Sequence, residues 1–249
     1  MSDARVVVDG VSKSFEGNGE SVEALRGVDF EVSDGEFVCI VGPSGCGKTT
    51  LFRIIGGLDS PTAGEVRLSG SPVTGPTPEL GIVFQEYHLF PWRTVRGNVV
   101  FGLEQQEMDG EARDGRVTEM LRLVGLEDAV DSYPSQLSGG MKQRVAIARS
   151  LAVDPDLLLL DEPFGSVDAQ TRSMLHEELL DVWQETQKTV LFVTHDVEEA
   201  VTLADRIVVM TPGPGQVKEF VDVDLDRPRS RTDEAFIEYQ ERIRDLIHN

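Results

Sequence analysis

Lysine is scarce in this chain, with five residues among 23 basic ones, against 44 acidic residues and a net charge of −21. A surface of that sign repels nucleic acid and anionic lipid at ordinary salt, so no nucleic-acid partner is expected. The bland reading is a well-solvated acidic surface; little Lys beside retained Arg favours a high-salt cytoplasm, where screening removes the self-repulsion. Cysteine is scarcer still. Cys39 and Cys46 make no disulfide framework, and a cytoplasmic location is expected. Long apolar runs are missing: "LLLL" at 157–160 and "VLFV" at 190–193 are far too short to span a bilayer. "MSDARVVVDG" has no basic stretch followed by an apolar one, so no secretory leader is expected. Aromatic residues make up only 6% of the chain, yet Phe84, Tyr87, Phe90 and Trp92 fall within "FQEYHLFPWRTV" at 84–95.

What is present is a globular composition, 40% hydrophobic and 27% charged over 249 residues, enough for one core and a small subdomain. Strands are predicted at 5–8 and 28–32, at "FVCIV" (37–41), "EVRL" (65–68), "GIVFQ" (81–85), "LLLLDEP" (157–163), "TVLFVTHD" (189–196) and "DRIVVMT" (205–211). Between them lie helical patterns: "LFRIIGGL", the face of Val117, Met120, Leu121 and Val124, "MKQRVAIARSLA", the stripe of Leu175, Leu179, Leu180 and Trp183, and "VEEAVTLA". A final helix is expected at 233–247. Apolar strands alternating with helices indicate an α/β fold with a parallel sheet of βαβ units. The block at about 86–150 reads as a helical insertion.

"GPSGCGKT" at 42–49 fits G-x-x-x-x-G-K-[ST], follows a predicted strand and opens a helix. Glycines let such a loop curl so that its N–H groups point at phosphate oxygens, and the helix N-terminus adds positive partial charge. Lys48 would reach the β- and γ-phosphates of a nucleotide and the Thr49 hydroxyl would bind Mg²⁺. Cys46 is a small filler whose pKa the loop amides would depress, which makes it a candidate modification site but no catalyst. A buried strand ends in Asp161 and Glu162, where open α/β sheets bind ligands. Asp161 suits the metal shell and Glu162 the role of general base on water. An exposed acidic turn is the bland alternative in so acidic a chain. Gln85 and His195 also end predicted strands, and four polar groups or loops converging on one rim raise each above its own weight. Ser138, Gly139 and Gly140 precede a helix with no Asp or Glu in its first turns, a second anion cradle beside the ordinary reading of a Ser N-cap. Two cradles on one chain fit either two anions or two copies sandwiching one nucleotide.

"GPSGCGKTT", Gln85, "LSGGM", "LLLLDEP", "GSVD" and His195, in that order, resemble the ATP-binding subunit of an ABC transporter over essentially the whole chain. The resemblance implies a P-loop NTPase (RecA-like) core, built from 1–85 and 151–225, that carries an N-terminal antiparallel β subdomain. It also implies an α-helical signature subdomain at 86–150 and a helical tail at 226–249. ATP and Mg²⁺ are the implied ligands. Gly42, Pro43, Ser44, Gly45, Cys46, Gly47, Lys48, Thr49 and Thr50 would cradle phosphate, with Thr49, Gln85 and Asp161 at the metal. Phe15 matches the ring that stacks on adenine; without the resemblance it reads as a core aromatic. Ser138, Gly139 and Gly140 would close over the γ-phosphate of a second copy, and Asp168 of "GSVD" would face that copy. Val167 stands where Leu is usual, a packing change of no functional weight. Glu162 would activate water, His195 would contact the γ-phosphate, and Gln85 would sense metal and water.

"EYHLFPWRTVRGNV" and "DEPFGSVDAQTR" resemble the nitrate, sulfonate and taurine branch of importers; thiamine-precursor and phthalate importers share much of both. The implied partners are a second copy, permease subunits through the 86–97 region and, indirectly, a solute-binding protein. The chain would then sit on the inner face of the membrane, and no large C-terminal regulatory domain is expected. An exporter-type ATPase, a non-transport ABC ATPase and a P-loop kinase are the alternatives. Phe84 is assigned to the core. Tyr87, Phe90 and Trp92 are divided between core and a partner surface, because aromatic and Arg-rich surfaces anchor interfaces.

Overall fold

The computed structural model describes residues 4–17, 20–165 and 167–248. Ser166 of "GSVD" lies outside them. The chain forms two compact units, Met1–Thr77 with Thr189–Asn249, and Pro78–Lys188. The second encloses the 86–150 segment together with two strands.

In the first unit, β1 (Ala4–Gly17) and β2 (Glu20–Ser33) pair antiparallel, and β4 (Ala63–Leu68) and β5 (Ser71–Pro72) extend the sheet in the order β2-β1-β4-β5. Both long strands overrun the short predicted segments. The hairpin continues past irregularities that β-pattern reading takes for ends: register shifts flank Gly10, whose φ of 60° suits a bulge. A second sheet region holds β3 (Phe37–Val41), β8 (Thr189–Val193), β9 (Arg206–Met210) and β10 (Val217–Asp222) in the order β10-β9-β3-β8. β3 runs parallel to both β8 and β9, and all five of its residues are fully buried. Burying each such side chain contributes about 1.5–3 kcal/mol, which explains the unbroken apolar run. β10 is an antiparallel edge strand that the sequence reading passed over. The helices of this unit are α1 (Lys48–Ile55), α6 (Val197–Leu203) and α7 (Glu234–His248).

The second unit contains the parallel pair β6 (Leu80–Val83) and β7 (Leu157–Asp161), and helices α2 (Val95–Leu103), α3 (Gly110–Leu123), α4 (Gly139–Ala152) and α5 (Ala169–Thr186). Gly81 in β6 is required by close packing, because a Cβ there would lie 2.9 Å from the Pro155 ring and 3.0 Å from the Ser150 carbonyl. The α3 face of Val117, Met120 and Leu121 is buried as the spacing predicts, and on α5 Val182 is buried more fully than Trp183. Two expectations fail here. β6 ends at Val83, so Phe84 and Gln85 belong to the following turn. Phe84 is therefore half-buried rather than core, with its ring edge-on to His88 at 5.1 Å. No helix among the described residues is long and apolar enough to cross a membrane.

Candidate functional site

In the first unit the parallel pairing of β3 with β8 puts both C-terminal ends on one edge. The phosphate loop follows β3. Gly47, at φ 90°, caps α1 without any side-chain hydrogen bond, and no acidic residue occupies the first turn. The N-terminal amides of α1 are thus left for an anion. Gly42 must be glycine: an added Cβ would sit 2.8 Å from Cys46 Sγ and 3.1 Å from the Met210 carbonyl oxygen. The Lys48 ammonium donates to the carbonyls of Gly42 (2.8 Å) and Pro43 (3.3 Å), which holds it at the centre of the loop. Ser44, Gly45 and Thr49 are exposed along the loop's outer side, with Pro43 and Thr50 half-buried. Cys46 departs from expectation. Its side chain is fully buried, and that burial pushes the thiol above its ordinary value despite the opposing pull of Lys48. The loop amides do not make it a reactive thiolate.

His195 follows β8 and is exposed, with Thr194 anchored by its amide to the Ile40 carbonyl (3.1 Å) two residues before the loop. Phe15 is 44% exposed on β1, opposite Val22, with the Lys13 ammonium 5.0 Å from the ring centre. An exposed aromatic on a strand is not the core residue that the pattern alone suggested. Part of it is open to solvent, with the Lys13 ammonium over the ring.

In the second unit β6 and β7 are parallel, with Val83 opposite Leu160, so Gln85 and the Asp161–Glu162 turn emerge from the same edge. They lie close together. At Gly165 an added Cβ would be 3.2 Å from Gln85 Nε2 and 3.4 Å from the Glu162 carbonyl. Glu162 adopts φ 43°, a left-handed conformation that costs a non-glycine residue about 1–3 kcal/mol and is retained at functional turns.

The signature segment opens α4 with the ordinary Ser N-cap. Ser138 caps α4 by accepting from the Met141 amide at 3.3 Å, and the first turn holds no acidic residue. A Cβ on Gly139 would lie 3.5 Å from the Tyr87 hydroxyl and from Val167, which places the turn after Gln85 and the "GSVD" loop beside the signature. Asp168 has a local role that the sequence did not suggest. It caps α5, accepting from the amides of Gln170 (3.1 Å) and Thr171 (3.0 Å) and from the Thr171 hydroxyl (2.7 Å). That hydroxyl, then the amides, hold its carboxyl below the usual range.

The aromatic segment divides. Phe90 packs 4.4 Å from Phe101 and under the guanidiniums of Arg93 and Arg149. The fully buried Asn98 pins the segment by accepting from the Phe90 amide (2.8 Å) and donating to the carbonyls of Arg93 (3.1 Å) and Thr94 (2.9 Å). Sequence reasoning missed Asn98, a polar residue in an apolar helix. Arg149 of α4 donates to the carbonyls of His88 (2.7 Å) and Tyr87 (3.0 Å). Trp92 alone of the three stands 71% exposed.

Among the described residues no cluster of three or more His, Cys, Asp or Glu is placed to hold a metal unaided. Mg²⁺ beside nucleotide phosphates needs only one or two protein oxygens, and the exposed Thr49 hydroxyl and the Asp161 carboxylate are donors of that kind.

A model of the ABC transporter family matches residues 25–165. An uncharacterised ABC transporter ATP-binding protein of Methanocaldococcus jannaschii is 53% identical over 243 residues, covering 98% of this chain and 91% of that protein. A nitrate import ATP-binding protein of Synechocystis is 46% identical over 246 residues, covering 95% and 92%. The fold matches, with a TM-score of 0.76 and 35% identity over 89% of this chain and 100% of the other, a dimeric ATP-binding cassette in a post-hydrolysis state bound to ADP and phosphate. The family model, the relatives and the matched cassette agree: the chain belongs to the ABC transporters, as one of their ATP-binding, ATP-hydrolysing subunits.

Proposed function

We propose that the chain powers an importer of a small anion such as nitrate, a sulfonate or taurine. The nitrate import relative supports the importer, and the pair of anion cradles on one chain, the loop at 42–49 and the α4 N-terminus at 138–140, each free of acidic residues, supports its ATP-driven dimer. One nucleotide per chain leaves the second cradle for a partner's nucleotide. Two copies would therefore enclose ATP at their interface, as in the dimeric cassette that this fold matches. The loop amides and Lys48 hold phosphate. Thr49 and Asp161 are the proposed Mg²⁺ ligands, and the ion would neutralise phosphate charge. Glu162 takes the proton of the attacking water, Gln85 orients that water, and His195 contacts the γ-phosphate. Phe15 stacks on adenine, and Asp168 pairs its cap with a position facing the second copy. The segments 1–85 with 151–225, 86–150 and 226–249 act as core, signature subdomain and tail.

The 86–97 region receives the permease, which would hold the chain at the cytoplasmic face of the membrane, while a solute-binding protein acts indirectly. Of the aromatic segment, Trp92 is exposed enough to enter a partner and Phe90 is committed to its own unit. In vesicles holding the chain with its permease, Trp92→Ala is expected to cut ATP-driven uptake of labelled nitrate or taurine at least tenfold, the loss of a typical interface anchor. Basal ATPase should stay within twofold. Equal loss of both activities would place Trp92 in the fold instead.

The acidic, Lys-poor surface fits a high-salt cytoplasm. The melting temperature and ATPase are expected to rise from low to molar KCl as screening relieves repulsion among the 44 acidic residues. A flat salt profile would sink that idea.

A further inference from the structure

Between β10 and α7 the chain reads "RPRSR", with arginines at the alternate positions 227, 229 and 231. All three reach α6, the seven-residue helix that follows His195. Arg231 pairs with Glu198 in its first turn, Nη1 to Oε1 2.9 Å. Arg229 Nη1 donates to the carbonyls of Val201 (2.6 Å) and Ala204 (2.7 Å). Arg227 donates to the Leu203 carbonyl (2.5 Å) and to Asp205 Oδ1 (2.7 Å). The helix needs these donors. It has no basic residue in its last turn, its final carbonyls have no partner within the helix, and a helix so short is marginal alone. Burial pushes the Arg229 guanidinium down to about 10, so it is still cationic at neutral pH.

The other end of α6 is fastened with equal care. The Asp196 carboxylate accepts from the Glu198 amide at 2.8 Å, and the Thr194 hydroxyl donates to buried Glu199 at 2.5 Å and accepts from the Asp196 amide at 3.0 Å. His195 stands between two residues whose side chains are both committed to α6. Asp205, gripped by Arg227, also accepts from the Phe37 amide (2.9 Å) at the start of β3, the strand that ends in the phosphate loop. The helix is thus registered against the strand that carries the phosphate cradle.

We propose that the 227–231 segment is a strap whose arginines set the position of α6 and, through it, the imidazole of His195. They are positioning residues, remote from the reacting atoms. The catalytic consequence rests on the assignment of His195 to the γ-phosphate.

The chain has four histidines, so selective ¹³C labelling gives a spectrum in which His195 is identified by its loss in His195→Ala. Arg229→Lys keeps the charge but not the planar fork that spans two carbonyls. It is expected to move the His195 signal, leave that of His176 in place, and lower kcat about 10- to 100-fold, the cost of a displacement near 1 Å. KM for ATP should change less than twofold. Should Arg229→Lys fail to fold, Arg231→Gln provides the same readings, because its ion pair with Glu198 lies at the surface, with side chains 39% and 40% exposed. An unmoved His195 signal in a folded strap variant overturns the proposal, whatever the melting temperature does. A moved signal with unchanged turnover supports the strap and instead removes His195 from the γ-phosphate.

Discussion

Glu162→Gln is expected to abolish most ATP turnover, by about 10²- to 10⁴-fold, while ATP binding is retained. Glutamine has the shape of glutamate but cannot take the proton of the attacking water. The backbone at 162 is held at φ 43° whichever of the two side chains it carries, so the turn that gathers Gln85, Gly165 and residue 162 should survive the substitution. The variant would then bind ATP and fail to clear it, and a nucleotide-loaded dimer should accumulate. Phosphate release measures the first effect, and light scattering on a column eluted with ATP measures the second. Normal hydrolysis by Glu162→Gln would remove Glu162 as the base.

Lys48→Ala should weaken ATP binding by about 10²-fold, because truncating one partner of a buried, charge-assisted contact costs roughly 2–5 kcal/mol. The side chain is only 8% exposed and points back into its own loop, on the Gly42 and Pro43 carbonyls. The substitution therefore removes the cation proposed to meet phosphate and also uncovers two carbonyl oxygens. Arginine is no conservative replacement, since its longer, planar head does not fit where a compact ammonium sits. Fluorescent-nucleotide titration gives the affinity, and a melting curve separates it from loop collapse. Binding within threefold of the parent chain would show that the loop amides suffice without Lys48.

The most local features were the most legible. "FVCIV" reads as a strand because burial on both faces leaves no polar alternation, and it forms β3 residue for residue. The phosphate loop and the acid-free start of α4 were visible because glycine spacing and the absence of Asp or Glu are properties of adjacent residues. Features set by distant contacts were not. Phe84 has the side chain of a core residue, but β6 stops one residue before it. Asn98 gains its meaning from carbonyls at 90, 93 and 94, in a turn whose path the sequence does not show. Asp168 gave no hint that its carboxylate would be engaged by its own helix. "RPRSR" looks like a polar tail until α6 is found with a C-terminus in need of donors.

Arg149 holds the Tyr87 and His88 carbonyls near the C-terminal end of α4, and the Tyr87 hydroxyl lies beside Gly139 at its N-terminal end. The aromatic turn is thus bonded to the helix at one end and packed beside it at the other, about 15 Å apart at 1.5 Å per residue. A bonded end and a packed end leave little freedom for one to slide against the other. A push delivered at Trp92 would arrive at Ser138 as rigid displacement, without any change of charge along the way, so pH and salt should have little purchase on that transmission.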